Sequence, residues 1–183
     1  MMKQKDESVS GLAKGIEYLF RKNKVDWVKG WGRLDGVGKV IVKAEDGSET
    51  TLQAKDIVIA TGSEPTPLPG VNIDNQRIID STGALALPQV PKHLVVIGAG
   101  VIGIEYATIF SALDVPVTII EPRDNFLDFI DREIIEEFTH DLRQRGVTMR
   151  LGGKVDRVER DAQGWAIAHL TDGRQIRSDM LLY

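Results

Sequence analysis

A chain of 183 residues, 42% hydrophobic and 27% charged, has room for one large globular domain or two small ones. Its 23 basic and 27 acidic side chains leave a formal charge of −4, which argues against nucleic acid or an anionic membrane as the main partner. No run approaches the roughly 18 apolar residues of a membrane span, the charged start lacks a signal peptide's apolar stretch, and the absence of cysteine removes disulfides and thiolate metal sites, so cytoplasm is the default compartment.

Residues 5–22 read as an amphipathic helix, with Val9, Leu12, Ile16, Leu19 and Phe20 at near-helical spacing. Gly11 and Gly15 each weaken it by about 1 kcal/mol relative to alanine. Short strands are expected at 25–28, 39–44, 50–54 and 57–60, with Asp46-Gly47 turning between the second and third. Pro65, Pro67, Leu68, Pro69 and Gly70 mark an extended crossing segment, and Pro88 and Pro91 punctuate the approach to the next apolar run.

That run, Leu94–Ile97, leads into Gly98-Ala99-Gly100-Val101-Ile102-Gly103-Ile104-Glu105 and then a helical stretch to Leu113. A second short strand, 117–120, follows and ends in Glu121, eighteen residues beyond Gly103. Strand, G-x-G-x-x-G turn, helix, strand and acid form a dinucleotide-binding fingerprint. Gly98 permits the tight turn, Gly100 lets the backbone approach a pyrophosphate, and Gly103 lets helix and strand pack closely. The N–H groups and dipole at the helix start favour phosphates, while the Glu121 carboxylate can accept from ribose hydroxyls.

A helix is expected from about Asp131 to Gln144, its apolar face carrying Ile134, Ile135, Phe138 and Leu142, with Gly146 as C-cap. A strand at 147–151 completes βαβαβ. The segments 155–160, 165–170 and 176–182 read as an antiparallel meander, with Asp172-Gly173 as a turn. This ending follows the same plan as 46–60: an Asp-Gly turn, a strand, an aspartate, an apolar strand. The expected fold class is α/β, with 1–64 as the tail of one nucleotide-binding domain, 65–92 as a connection, and 93–183 as a nearly complete second one. On this reading the first domain's own glycine-rich strand precedes Met1.

Val58-Ile59-Ala60-Thr61-Gly62-Ser63-Glu64-Pro65, followed some 35 residues on by the glycine motif, resembles the FAD-dependent pyridine nucleotide–disulfide oxidoreductases. The first string matches the family's "ATG" motif, where the chain leaves the FAD domain, and the second the start of its NAD(P) domain. Residues 1–103 are most similar to the dihydrolipoamide dehydrogenase branch, through Lys14–Phe20, Lys29–Gly32 and Asp80–Leu85. Residues 104–183 are closer to the soluble pyridine nucleotide transhydrogenases, through Glu105–Phe110 and Pro122–Leu127. The resemblance implies FAD and NAD as cofactors, with NADP a further candidate, and a homodimer in the intact enzyme.

It also implies residue roles. Gly32, Thr61, Gly62 and Ser63 match positions whose backbone contacts FAD. Gly98, Ala99, Gly100, Val101, Ile102, Gly103 and Glu105 match the loop and helix that bind the nicotinamide dinucleotide. Glu105 matches an acid near the flavin, Glu121 the ribose ligand, and Val155 a position lining the adenine. Glu121 favours NAD, because a carboxylate repels a 2′-phosphate, whereas Arg123 softens that preference if it pairs with a phosphate. The family's cysteine pair and its histidine–glutamate pair match nothing within these residues, so no catalytic residue is assigned here. His93, His140 and His169 are too scattered for a metal site, and no basic–aromatic pattern suits nucleic acid.

Overall fold

The computed structural model describes residues 1–66 and 70–183, so Pro67, Leu68 and Pro69 of the crossing segment lie outside the described residues. The chain divides into two compact units, Met1–Ser63 and Glu64–Tyr183.

The first unit begins with helix α1, Met2–Lys22, and no residue of it is buried. Val9, Leu12, Ile16 and Leu19 form the apolar stripe and all are exposed. The expected strand at 25–28 is absent. Instead the Val25 N–H donates to Phe20 O at 2.9 Å, folding the chain back over the helix end. Trp27 then meets Phe20 edge-on with ring centroids 6.0 Å apart, and the Lys29 ammonium sits 4.2 Å over the Trp27 ring. Strands β1 (Trp31–Leu34), β2 (Lys39–Lys43) and β3 (Glu49–Gln53) make an antiparallel sheet in that order. β1 has no counterpart among the expected strands. The Asp46-Gly47 turn forms as expected: Gly47 has φ +85°, and the Asp46 carboxylate accepts from the Ser48 N–H at 2.9 Å. The expected strand at 57–60 does not form; these residues are irregular and exposed. An extended run becomes a strand only when a neighbour accepts its backbone hydrogen bonds, and no strand of the described residues lies beside this one.

The second unit has three layers. Its middle is a five-stranded parallel sheet built from β4 (Ile78–Ile79), β5 (Leu94–Ile97), β6 (Val117–Glu121), β7 (Val147–Leu151) and β11 (Met180–Leu182), in the order β4-β11-β5-β6-β7. Helices α3 (Val101–Ser111) and α4 (Arg132–Gln144) cover one face, and the antiparallel meander β8 (Val155–Arg160), β9 (Ala166–Leu170), β10 (Gln175–Ser178) covers the other. Strand alternation decides which side chain serves which layer. Leu94 and Val96 point to the helices, where Ile104, Ala107, Phe110 and Leu142 meet them. Val95 points to the meander and packs with Val158, Ala166, Ala168 and Leu170.

One correction concerns the end of the chain. Residues 176–182 were expected as a single meander strand, but they split at Asp179 into β10 and β11, which belong to different sheets. The Asp179 carboxylate accepts from the backbone N–H groups of Lys92 and His93 at 2.8 and 2.7 Å, and its carbonyl accepts from Arg77 at 2.8 Å. Those bonds steer the chain out of the meander and between β4 and β5. The short β4 and the four-residue helix α2, Ser81–Ala84, were also not foreseen.

Candidate dinucleotide site

β5 is buried and delivers the chain to Gly98, whose φ of +99° few residues other than glycine adopt. The Gly98 N–H donates to Ile120 O at 2.8 Å, which anchors the turn to β6. A Cβ on Gly103 would overlap the Gly98 carbonyl oxygen and press on a Val96 methyl at 3.2 Å, so close helix–strand approach requires glycine there. Gly98 and Gly100 differ from it: a Cβ on either would meet nothing within 4 Å. The backbone therefore presents an open surface over the first turn of α3. Gly100 is the N-cap of α3 and no side chain caps that end. Its first N–H groups and dipole are thus directed at whatever anion lies above the loop. A depression of about 460 Å³ lies there, lined among others by Gly98, Gly100, Val101, Thr66 and Ser81.

Glu121 ends β6 and is only 3% exposed. Its Oε2 accepts from the Ala99 N–H at 2.8 Å and from Arg123 Nη2 at 3.2 Å. Its Oε1 accepts from Arg123 Nε at 2.7 Å and from the Arg123 N–H at 3.1 Å. Burial by itself pushes this carboxyl up, but the Arg123 guanidinium and the Ala99 and Arg123 N–H groups outweigh it and hold the acid below its ordinary range. Arg123 also reaches Asp128 at 3.4 Å while its side chain stays half exposed. Sequence reasoning placed Glu121 and Arg123 side by side. It did not foresee that they would clamp each other, because the return of the guanidinium depends on how the chain turns after Pro122.

The remaining site residues fall in different settings. Val101 and Ile102 are exposed on the first turn of α3, and Glu105 is exposed one turn further on. Val155 opens β8, half-buried against the meander-side core. In the first unit, Gly32 lies exposed in β1 opposite Val42, and Thr61, Gly62 and Ser63 lie in exposed irregular chain. Gly62 has φ +81° with open space around it. Ser81 was missed as a lining residue, although Asp80 three residues before Gly83 is a readable cap signal; its carboxylate accepts from the Gly83 N–H at 2.7 Å. Tyr106 donates to Ser81 O at 2.8 Å and so ties α3 to that wall. Burial, then the charges of Asp80 and Glu105, raise the Tyr106 phenol above its usual value.

Each histidine has a structural partner: His93 lies 3.1 Å from the Thr118 hydroxyl, His140 2.7 Å from Gln144, and His169 2.8 Å from Glu159. Among the described residues no cluster of three histidines or carboxylates is placed to hold a metal ion, and no helix is long and apolar enough to cross a membrane.

Parallel sheet, glycine turn, uncapped helix start and acid at the end of the next strand define a dinucleotide-binding α/β domain. The profile of the pyridine nucleotide-disulphide oxidoreductases matches residues 2–183, and the chain belongs to that family. "Dihydrolipoyl dehydrogenase 3" from Pseudomonas putida is 69% identical over 164 residues, which is 90% of this chain and 35% of that protein. The protein of the same name from Pseudomonas aeruginosa is 53% identical over the same shares. Among solved structures, LpdA from Mycobacterium tuberculosis superposes with a TM-score of 0.90 at 25% identity, covering 99% of this chain and 40% of that one. The HOCl-induced flavoprotein disulfide reductase RclA from Escherichia coli gives 0.84 at 28%, covering 99% and 41%. The chain thus spans about a third of the length of the curated relatives it matches. Dihydrolipoyl dehydrogenases use FAD and NAD.

Proposed function

We propose that this chain supplies the NAD-binding domain, and the last part of the FAD-binding domain, of a dihydrolipoyl dehydrogenase-type flavoprotein disulfide oxidoreductase. The observation that carries this reading is the open backbone at Gly98 and Gly100 facing the uncapped start of α3. Residues 93–183 are read as the NAD domain, 65–92 as the connection and 1–64 as the FAD-domain tail. A pyrophosphate would lie on the N–H groups of the first turn of α3, where helix dipole and open glycines leave room for it. The adenosine ribose would lie by Glu121 and Arg123, and the adenine toward Val155. Gly32, Thr61, Gly62 and Ser63 would take the FAD side by their backbone. A nicotinamide dinucleotide bound there would supply the hydride acceptor, and the chain's own residues would bind and orient it. Glu105 is assigned a place on the flavin side. The whole enzyme is read as a cytoplasmic homodimer that oxidises dihydrolipoamide. The alternative reading, hydride exchange between NAD and NADP through FAD, is favoured by Arg123 and its following residues.

Titration of the chain with NADH, followed by fluorescence, tests the reading. Gly100→Val puts a branched side chain into the space assigned to the pyrophosphate and is expected to weaken binding more than about tenfold, the equivalent of 1.4 kcal/mol. Equal affinities for the parent and Gly100→Val would overturn the assignment of the loop.

A further inference from the structure

The depression beside the glycine loop does not reach the acid end of the site. Ile102, Gly103, Ser81 and Thr66 line it, whereas Glu121, Arg123 and Val155 are not among the described residues that do. With adenosine at Glu121 and the pyrophosphate on the first turn of α3, it is the space left for the other half of a dinucleotide. Its two walls are anchored unequally. The α3 wall is keyed to β5 at Gly103, where no Cβ would fit. Ser81 opens α2, four residues long, which follows the two-residue edge strand β4. So short a helix holds no shape by itself and takes its place from tertiary contacts. Ala84 sinks one end of it into the helix-side core. The other end is met from α3, where the Tyr106 hydroxyl donates to Ser81 O at 2.8 Å. Tyr106 lies four residues after Ile102 and three after Gly103, one turn along the same face of the helix. Its ring packs against the same core, and burial with the charges of Asp80 and Glu105 raises its phenol, so the hydroxyl stays a donor throughout the neutral range.

We propose that Tyr106 is a positioning residue for the dinucleotide: by holding Ser81 it fixes the distance from α2 to the glycine loop, and so the width of the depression. Tyr106 is not among the residues that line the depression, so it acts through Ser81. Its effect is confined to the half of a dinucleotide beyond the pyrophosphate, and the adenosine half is bound without it. This inference rests on the dinucleotide-binding reading above.

The test is a pair of dissociation constants on the full chain, for NADH and for ADP, which ends at the pyrophosphate and lacks the second half. Their ratio is insensitive to a fraction of unfolded protein. Tyr106→Phe removes the hydroxyl and keeps the ring. It is expected to weaken NADH about three- to tenfold, the loss of one hydrogen bond, and to leave ADP within about twofold. The Ala84 amide, which donates to Asp80 O across α2, is expected to exchange at least about threefold faster in the same variant. An unchanged NADH constant, unchanged exchange at Ala84, or equal weakening of both ligands overturns the positioning proposal while leaving the dinucleotide site standing. A parent that binds NADH but not ADP overturns the division of the site on which the proposal rests. A parent that binds neither ligand overturns the dinucleotide reading and this proposal with it.

Discussion

Residues 46–60 and residues 172–183 share an order of Asp-Gly turn, strand, aspartate and apolar run, yet they end differently. After Asp179 the run 180–182 is β11, buried between β4 and β5, with the Leu181 N–H donating to Arg77 O at 2.7 Å. After Asp56 the run 57–60 has no element, and Val58 and Ile59 are largely exposed. The difference lies in the surroundings. β11 enters a parallel sheet that offers hydrogen bonds on both edges and apolar side chains on both faces. No strand of the described residues offers 57–60 either. The same contrast runs through the two units. In residues 1–63 Val42 is the one buried residue, whereas 64–183 close two apolar clusters on opposite faces of one sheet. Secondary structure in the first unit is thus local, made of a helix and two hairpin connections, and in the second it is held by long-range contacts.

Amide exchange gives the largest test of that contrast. The amides of 180–182 are expected to exchange through near-global opening of the second unit, and those of 57–60 at close to unprotected rates, about a thousandfold apart or more. Comparable protection in both stretches would break the comparison. Next in size, Gly103→Ala forces a Cβ onto the Gly98 carbonyl and is expected to cost the second unit about 3 kcal/mol, read as a lowered urea midpoint. A smaller loss sharpens the role of the aspartates. Asp179→Ala strands the Lys92 and His93 N–H groups and is expected to cost about 1–3 kcal/mol. Asp56→Ala, at a side chain that makes no hydrogen bond with the described residues, is expected to stay within about 0.5 kcal/mol. Equal costs at the two positions would refute the account.

The smallest effect concerns acid. Glu121 is held below its ordinary range, so its contribution to stability is complete above about pH 4.3 and is lost as pH falls through its lowered value. Glu121→Gln should flatten that acid limb of a stability–pH curve. Asp35 in the first unit is also held low, first by its hydrogen bond from Lys39, but that pair is exposed, so added salt should erase its effect and leave that of buried Glu121. An acid limb that survives Glu121→Gln unchanged would count against the clamp.

Much of the site was legible in the sequence because it is local. The turn at Gly98, the close approach at Gly103 and the open backbone at Gly100 are properties of a few consecutive residues, and G-x-G-x-x-G between an apolar strand and a helix specifies them together. Strands β5 and β7 were legible to their ends for the same reason: unbroken apolar character in Leu94–Ile97 and alternation in Val147–Leu151, each bounded by turn residues. Tertiary structure decided the rest. Whether 25–28, 57–60 and 180–182 become strands depends on neighbours distant in the chain, and backbone hydrogen bonds between strands cannot be read from the strand alone. The split at Asp179 depends on N–H groups 86 and 87 residues away. The clamp on Glu121 depends on a buried carboxylate that water cannot solvate, which draws in Ala99 from the loop and Arg123 from two residues on. Residue types named the participants; only the closing of the sheet over them determined which donors that carboxylate would take.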